Sequence, residues 1–270
     1  MTTEAAYAAP GRPTFDWQLL AGLVIVALVV LPALASLFWT PHANTVAATL
    51  AEPSAIHWLG TDAAGRDVLS SLMSAALASL LLVGFATLVC LLIGVPVGAF
   101  IALRYEGEVP PVPTLSLPAA ALAIALVVSG LGAPGNLTVI LAIVLPGVPA
   151  AVQLVVASVR PLWQLDFVTS ARLAGLSSFS AAQRHVVPRL LPQLVAIVFE
   201  LLAAALLIEV TLAFAGLGTL PPGTSLGLLL RDGQQFLTIR PLLVVAPGVV
   251  TVAAALALLV VATRCRNGAR

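Results

Sequence analysis

Six long apolar runs constrain the fold of this chain more than any other feature of its sequence. They lie near residues 17–38, 74–103, 117–131, 137–158, 190–214 and 241–263. A helix needs about 20 apolar residues to cross the hydrocarbon core of a bilayer, and only the third run, flanked by Pro118 and Gly130, falls clearly short. Charged residues make up 9% of the 270 residues, against about 25% in soluble domains. The sequence therefore predicts an all-α integral membrane protein with about six transmembrane helices.

The arginines predict the orientation of these helices. All twelve basic residues are arginine, because the chain contains no lysine. If the N-terminus is cytosolic, nine arginines fall on the inside and only Arg66, Arg231 and Arg240 on the outside, as the positive-inside rule requires. Both termini are then cytosolic. The predicted parts are a tail (1–16), a transmembrane domain (17–263) with outside loops at 39–73 and 215–240 and a cytosolic loop at 159–189, and a second tail (264–270).

A polar island at residues 166–192 interrupts the apolar runs on the predicted cytosolic side. Its pattern indicates two short helices separated by Gly175, which suits the left-handed position that ends a helix. Ser180 and Gln183 fit a capping box for the second helix, which should stop before Pro188. A helix–glycine–helix module on the cytosolic side of a transporter is typical of a docking surface.

Two of the predicted outside segments have sequence patterns that indicate local structure. Gly60, Thr61 and Asp62 begin a turn. The stripe Val68, Leu69, Leu72 and Met73 then predicts an amphipathic helix lying on the membrane surface before the second span. Residues 214–233 are rich in glycine and proline, and such backbone cannot face lipid. We expect this second segment to line a cavity or to sit in the outer mouth.

Three blocks of the sequence match one pattern in order and spacing. The first reads LGTDAAGRDVLS over residues 59–70, and the third reads EVTLAFAGLGTLPPGTSLG over residues 209–227. In the second block, the matching residues of the cytosolic island are Ala171, Arg172, Gly175, His185, Pro188 and Pro192. In these blocks the chain resembles the permease subunits of ATP-binding-cassette (ABC) importers of the dipeptide/oligopeptide/nickel group, and specifically the "C" partner of the permease pair.

The resemblance implies the type I importer permease fold and a non-catalytic, pore-forming subunit in a bacterial inner membrane. It implies a second permease as heterodimer partner, one or two ATPase subunits that hold ATP and magnesium, and an extracytoplasmic substrate-binding protein. The substrate would be dipeptides or oligopeptides, with nickel chelates also transported in the group. By alternating access, ATP-driven closure of the ATPases would rock the permease helices between inward- and outward-facing states.

The cytosolic island corresponds to the "EAA" coupling loop of that group. The resemblance assigns ATPase docking to Thr169, Ser170, Ala171, Arg172, Gly175, Arg184, His185 and Pro188. Thr169 and Ser170 depart from the usual Glu and Ala, and Leu226 replaces a usual Trp within the third block. Alternatives remain: Gly175 as an ordinary helix end, Arg172 and Arg184 as residues that only retain the loop inside, and His185 as a packing residue.

Polar residues in the spans and outer loops are further candidates. Gln153, Glu200, Glu209, Gly216 and Gly218 are predicted to line the pore or to contact the partner permease. Glu200 and Glu209 are nine residues apart, so they point to opposite faces of a helix and cannot form one carboxylate pair. A structural hydrogen bond is the first interpretation for Glu209, and a substrate or partner contact for Glu200.

The charged residues of the first outside loop allow two interpretations. Asp62, Arg66 and Asp67 either contact the binding protein or the partner permease, or form the capped, charged face of the predicted surface helix.

Competing functions lack their sequence signals. A stand-alone ion-coupled transporter would need paired intramembrane charges. A membrane protease would need HExxH, which the chain lacks, or a nucleophile with a base in the spans, and all three histidines fall in loops. The chain also has no P-loop, and without lysine none is possible, so another chain must hydrolyse ATP. Cys90 and Cys265 lie far apart and show no metal or disulfide spacing. No cofactor is expected in this chain.

Overall fold

The computed structural model describes residues 16–39, 48–104, 118–163 and 187–268, and within them the chain is built from helices. The helices are α1 (Trp17–Ala35), α2 (Val68–Arg104), α3 (Pro118–Leu131), α4 (Asn136–Trp163), α5 (Val187–Phe214), α6 (Leu226–Gln234) and α7 (Leu242–Gly268). The prediction of an all-α membrane protein is confirmed.

Five of these helices, α1, α2, α4, α5 and α7, are long and apolar enough to cross a membrane. The third predicted span, α3, has 14 residues, or about 21 Å of helix, which is shorter than a hydrocarbon core of about 30 Å. The count of about six apolar helices therefore holds, but the described part of α3 does not reach spanning length.

The predicted surface helix before the second span is wrong. Helix α2 begins at Val68 and continues without a break for 37 residues. Val68, Leu72 and Met73 are buried, so the stripe that the sequence placed on a membrane surface instead packs inside the bundle. An apolar stripe at helical spacing has the same pattern in both situations, and only the tertiary neighbours decide between them.

The connecting segments meet at two opposite ends of the bundle. At one end Arg240 contacts Leu50 and Glu52, and Thr219 contacts Asn136. At the other end the last turns of α7 approach the start of α1. We name these the outer end and the inner end, following the orientation that the arginines predict.

Helices α2 and α4 pack closely through small residues. A Cβ atom added at Gly94 would lie 2.5 Å from Ala151 Cβ, and one at Gly98 would lie 2.8 Å from the Val152 carbonyl oxygen. In a membrane, no hydrophobic driving force brings helices together. Small residues stabilise helix pairs there because they let the two backbones approach closely. Helix α7 packs against α5, α1 and α6 on the other side of the bundle.

Gly98 offers a matched test of this packing, because Gly84 on the same helix has nothing within 4 Å of its added Cβ. Gly98→Ala is expected to destabilise the fold by about 1–3 kcal/mol through overpacking. Gly84→Ala is expected to be neutral or slightly stabilising, since alanine favours helix more than glycine does. Thermal unfolding of the two variants in detergent measures the difference. Equal midpoints would contradict the close α2–α4 contact.

Candidate functional site at the outer mouth

The first outside segment is a tight, hydrogen-bonded turn. Oδ1 of Asp62 accepts hydrogen bonds from the backbone amides of Ala64 and Arg66, both at 2.8 Å. Oδ2 of Asp62 accepts a third from Nε of Arg66, also at 2.8 Å. Gly60 and Gly65 have φ angles of 77° and 75°, which glycine adopts without strain. The predicted turn is confirmed, and we name residues 60–67 the outer turn.

Asp67 ends this turn and caps α2. Its Oδ2 accepts hydrogen bonds from the amide of Ser70 at 2.9 Å and from the Ser70 hydroxyl at 3.0 Å. Its Oδ1 lies 3.0 Å from Nδ1 of His57, and its side chain is 2% exposed. These contacts match the capping interpretation of Asp67. A contact of Asp62 or Arg66 with another subunit stays a prediction.

The outer turn is tied to the rest of the outer end. The Thr61 hydroxyl donates to the carbonyl of Ala48 at 2.6 Å and accepts from the amide of Ala51 at 2.8 Å. Arg240, just before α7, donates from Nε to the carbonyl of Leu50 at 2.8 Å and pairs with Glu52 at 2.9 Å. The start of α2 and the start of α7 are therefore linked through this loop.

The glycine-rich segment after α5 folds back onto that helix. Added Cβ atoms at Gly218 and Gly227 would lie 2.5 Å from Ala213 Cα and from the Val210 carbonyl oxygen, respectively. Gly216 has a φ angle of 84°. Gly218 and Gly227 are buried, whereas Phe214, Ala215 and residues 220–223 are exposed at the outer end.

The short helix α6 inside that segment was not predicted. Ser225 caps it, with its hydroxyl oxygen accepting from the amide of Leu228 at 3.2 Å. Leu226, Gly227 and Leu228 are buried. The signal that could have found α6 is a serine directly before the apolar run LGLLL.

Glu209 lies beneath the first turn of α6 and is 1% exposed. Its carboxylate is close to the hydroxyls of Ser79 and Ser225, but neither oxygen completes a hydrogen bond of normal geometry with a described residue. The Ser79 hydroxyl oxygen accepts from the amide of Leu226 at 3.0 Å, which leaves its proton available for the carboxylate. Two hydroxyl groups therefore lie next to the Glu209 carboxylate, but the structural hydrogen bond that the sequence predicts is not formed with normal geometry. Glu209, Ser79 and Ser225 join α5, α2 and α6 at one point.

The other candidates lie elsewhere. Glu200, near the middle of the apolar stretch Leu190–Phe214, forms an ion pair with Arg266 of α7. Gln153 is partly buried on α4. The structure thus brings Glu209, Gly216 and Gly218 together at the outer end and keeps Glu200 and Gln153 apart from them. Glu200 and Glu209 do not pair, in agreement with the sequence prediction.

The ATPase-docking candidates fall almost entirely outside the described residues. Thr169, Ser170, Ala171, Arg172, Gly175, Arg184 and His185 belong to residues 164–186, and Pro188 lies in the first turn of α5. Their docking role stays a prediction from the sequence.

A family model matches residues 114–265, more than half of the chain. Its description is "Binding-protein-dependent transport system inner membrane component". The chain belongs to this family. The resemblance found in the three sequence blocks is therefore confirmed, and the chain is a multi-pass inner-membrane protein.

Three relatives illustrate the range of the family. A putative peptide transport system permease protein of Brucella suis is 30% identical over 242 residues, which cover 88% of this chain and 82% of the relative. The nickel transport system permease protein NikC of Escherichia coli K12 is 29% identical and covers 86% of each chain. The probable D,D-dipeptide transport system permease protein DdpC of the same strain is 27% identical, covering 79% and 72%.

Membership in this family defines the general role of the chain. It is the pore-forming permease subunit of an ABC importer, a membrane component that works with ATPase subunits and a substrate-binding protein. The stand-alone secondary transporter that the sequence left open has no support from these relatives.

Proposed function

We propose that this chain pairs with a second, different permease subunit to form the path for short peptides through the membrane. ATP and magnesium are bound by separate ATPase subunits, and this chain hydrolyses nothing itself. Among the relatives, the Brucella suis protein is named for peptide transport and DdpC for D,D-dipeptides. Dipeptides or oligopeptides are therefore the proposed substrate class, ahead of nickel chelates.

The Glu200–Arg266 pair carries the proposal of a second permease. Glu200 lies within the apolar stretch of α5 and Arg266 in the last turn of α7, and their side chains are 35% and 40% exposed, respectively. A charged group that faces lipid costs several kcal/mol. Charged residues in membrane-spanning helices therefore almost always face the bundle interior or a water-filled cavity. A partner subunit, or a water-filled path shared with it, supplies the cover that the isolated chain lacks.

Reconstituted uptake tests the proposal. The chain, co-purified with its partner permease, ATPases and binding protein, is placed in vesicles, and uptake of a labelled dipeptide is compared with uptake of nickel. We expect ATP-dependent dipeptide uptake that is insensitive to a protonophore. Uptake driven by an ion gradient without ATP would contradict the proposal, and uptake of nickel alone would contradict the peptide assignment.

ATPase docking has a separate test at Gly175. A glutamate at this predicted turn adds a charged side chain where the docking helix must enter the ATPase. We expect Gly175→Glu to abolish co-purification of the ATPase subunits while the permease pair stays assembled. Retention of the ATPase would remove the docking role from this segment.

A further inference from the structure

A cavity of about 170 Å³ lies at the outer end, between the outer turn, α6 and the start of α7. Its inner wall is apolar and its rim is polar. The apolar wall is formed mainly by Val68, Leu72, Leu229, Phe236, Leu243 and Pro247, and the rim by Asp62, Arg66, Asp232 and Gln235. The cavity thus combines an apolar floor with a charged entrance.

The rim has two carboxylates, Asp62 and Asp232, but only one cationic group, Arg66. Asp62 is paired with Arg66 at 2.8 Å, so these two charges cancel. Asp232 is exposed, and its carboxylate forms no ion pair with a described residue. The side-chain amide of Gln235 donates to the backbone carbonyl of Asp232 at 3.2 Å. The entrance therefore has a net charge of −1 that is available to a cation.

We propose that this cavity receives a lysine or arginine side chain of the substrate-binding protein. The methylene stem of such a side chain would lie on the apolar floor, and its cationic head would meet Asp232 at the rim. The volume admits one long side chain but not a helix, whose diameter is about 10 Å. The cavity opens at the predicted outer end, where a binding-protein-dependent transporter must meet its binding protein. This inference rests on the importer assignment and on the predicted orientation.

Two substitutions on α6 provide a matched test. Asp232→Asn and Gln234→Arg each raise the net charge of α6 by one, and both residues are exposed, but only Asp232 lines the cavity. Binding of the purified binding protein to the complete transporter in nanodiscs is measured for each variant. We expect Asp232→Asn to weaken binding about five- to tenfold, as for a charged contact at an interface, and Gln234→Arg to change it by less than about twofold. Unchanged binding in Asp232→Asn, or equal effects in both variants, would overturn the proposal.

Ionic strength and charge reversal separate a direct contact from a change in shape. The difference between wild type and Asp232→Asn should shrink as salt rises to about 1 M, where the Debye length is about 3 Å. The loss caused by Asp232→Arg should be restored by reversing one basic residue of the binding protein to aspartate. A salt-independent loss that no such reversal restores would assign Asp232 a structural role and overturn the proposal.

Failure of the cavity proposal is distinct from failure of the importer assignment. In the same nanodiscs, ATP hydrolysis by the wild-type complex should rise when the peptide-loaded binding protein is added. A normal rise together with unchanged binding in Asp232→Asn overturns only the cavity proposal. A wild-type complex that shows no rise contradicts the proposed function itself.

Discussion

Gly227→Ala is expected to lower peptide uptake by at least about tenfold and to destabilise the protein by about 3 kcal/mol. The added Cβ would lie 2.5 Å from the Val210 carbonyl oxygen and 2.9 Å from Val210 Cα. Both are backbone atoms in the middle of a helical turn and cannot rotate away. Helix α6 must therefore move off α5, which also separates the Ser225 cap from Glu209.

Gly248→Ala is the control for this prediction. Gly248 lies on α7, which packs against α6, and its added Cβ would meet only Leu230 Cδ2 at an ordinary 3.7 Å. We expect uptake and thermal stability near those of wild type. Comparable losses in the two variants would show that the outer mouth tolerates no added methyl group anywhere. That result would contradict the specific contact at Gly227.

Arg266→Ala is expected to have the second-largest effect, because it leaves the Glu200 carboxylate unpaired inside an apolar helix. Removing one partner of a buried pair costs about 3–5 kcal/mol. Here both side chains are more than one third exposed in the isolated chain, so we expect a smaller loss, about 1–2 kcal/mol, with a clear drop in folded yield. Yield is measured by size-exclusion chromatography in detergent.

A double-mutant cycle isolates this pair. Glu200→Gln combined with Arg266→Ala should recover most of the yield that Arg266→Ala alone loses, because neither charge then remains unpaired. Arg264→Ala is the control two residues away on α7, since Arg264 lies 3.8 Å from Asp16 in a looser, partly exposed pair. Additive losses in the double variant would indicate that Glu200 and Arg266 act independently and would remove the support they give to a second permease.

The sequence predicted features that depend on neighbouring residues and missed those that depend on distant ones. The apolar runs and the turn at Gly60 follow from local composition, and the structure has both. The uninterrupted start of α2 was missed because Val68 and Leu72 lie inside the bundle, around a cavity that they share with residues of α6 and α7, more than 150 positions later in the chain. Nothing in the local pattern distinguishes that position from one on a membrane surface.

The candidate site shows the same division. The position of Glu209 at the outer end of α5 and its shelter from lipid were predictable from the block in which it occurs. Its neighbour Ser79 was not, because the two residues are 130 positions apart and a serine in an apolar helix carries no signal of its partner. The pairing of Glu200 with Arg266 is similar: the sequence predicted that Glu200 faces the pore or a partner subunit, and nothing in the local pattern indicated its ion pair with Arg266.

The contact between α2 and α4 also affects how the molecule can move. Packed helices slide past each other by small rearrangements of the side chains between them. At Gly94 and Gly98 that layer of side chains is missing, since the backbone of α2 lies directly against α4. The two helices must therefore tilt together as one lever, about 55 Å long in α2. The outer end of α2 follows the turn at Asp62, and its inner end is Arg104. A displacement of the helix pair on one side of the membrane therefore displaces it on the other side as well.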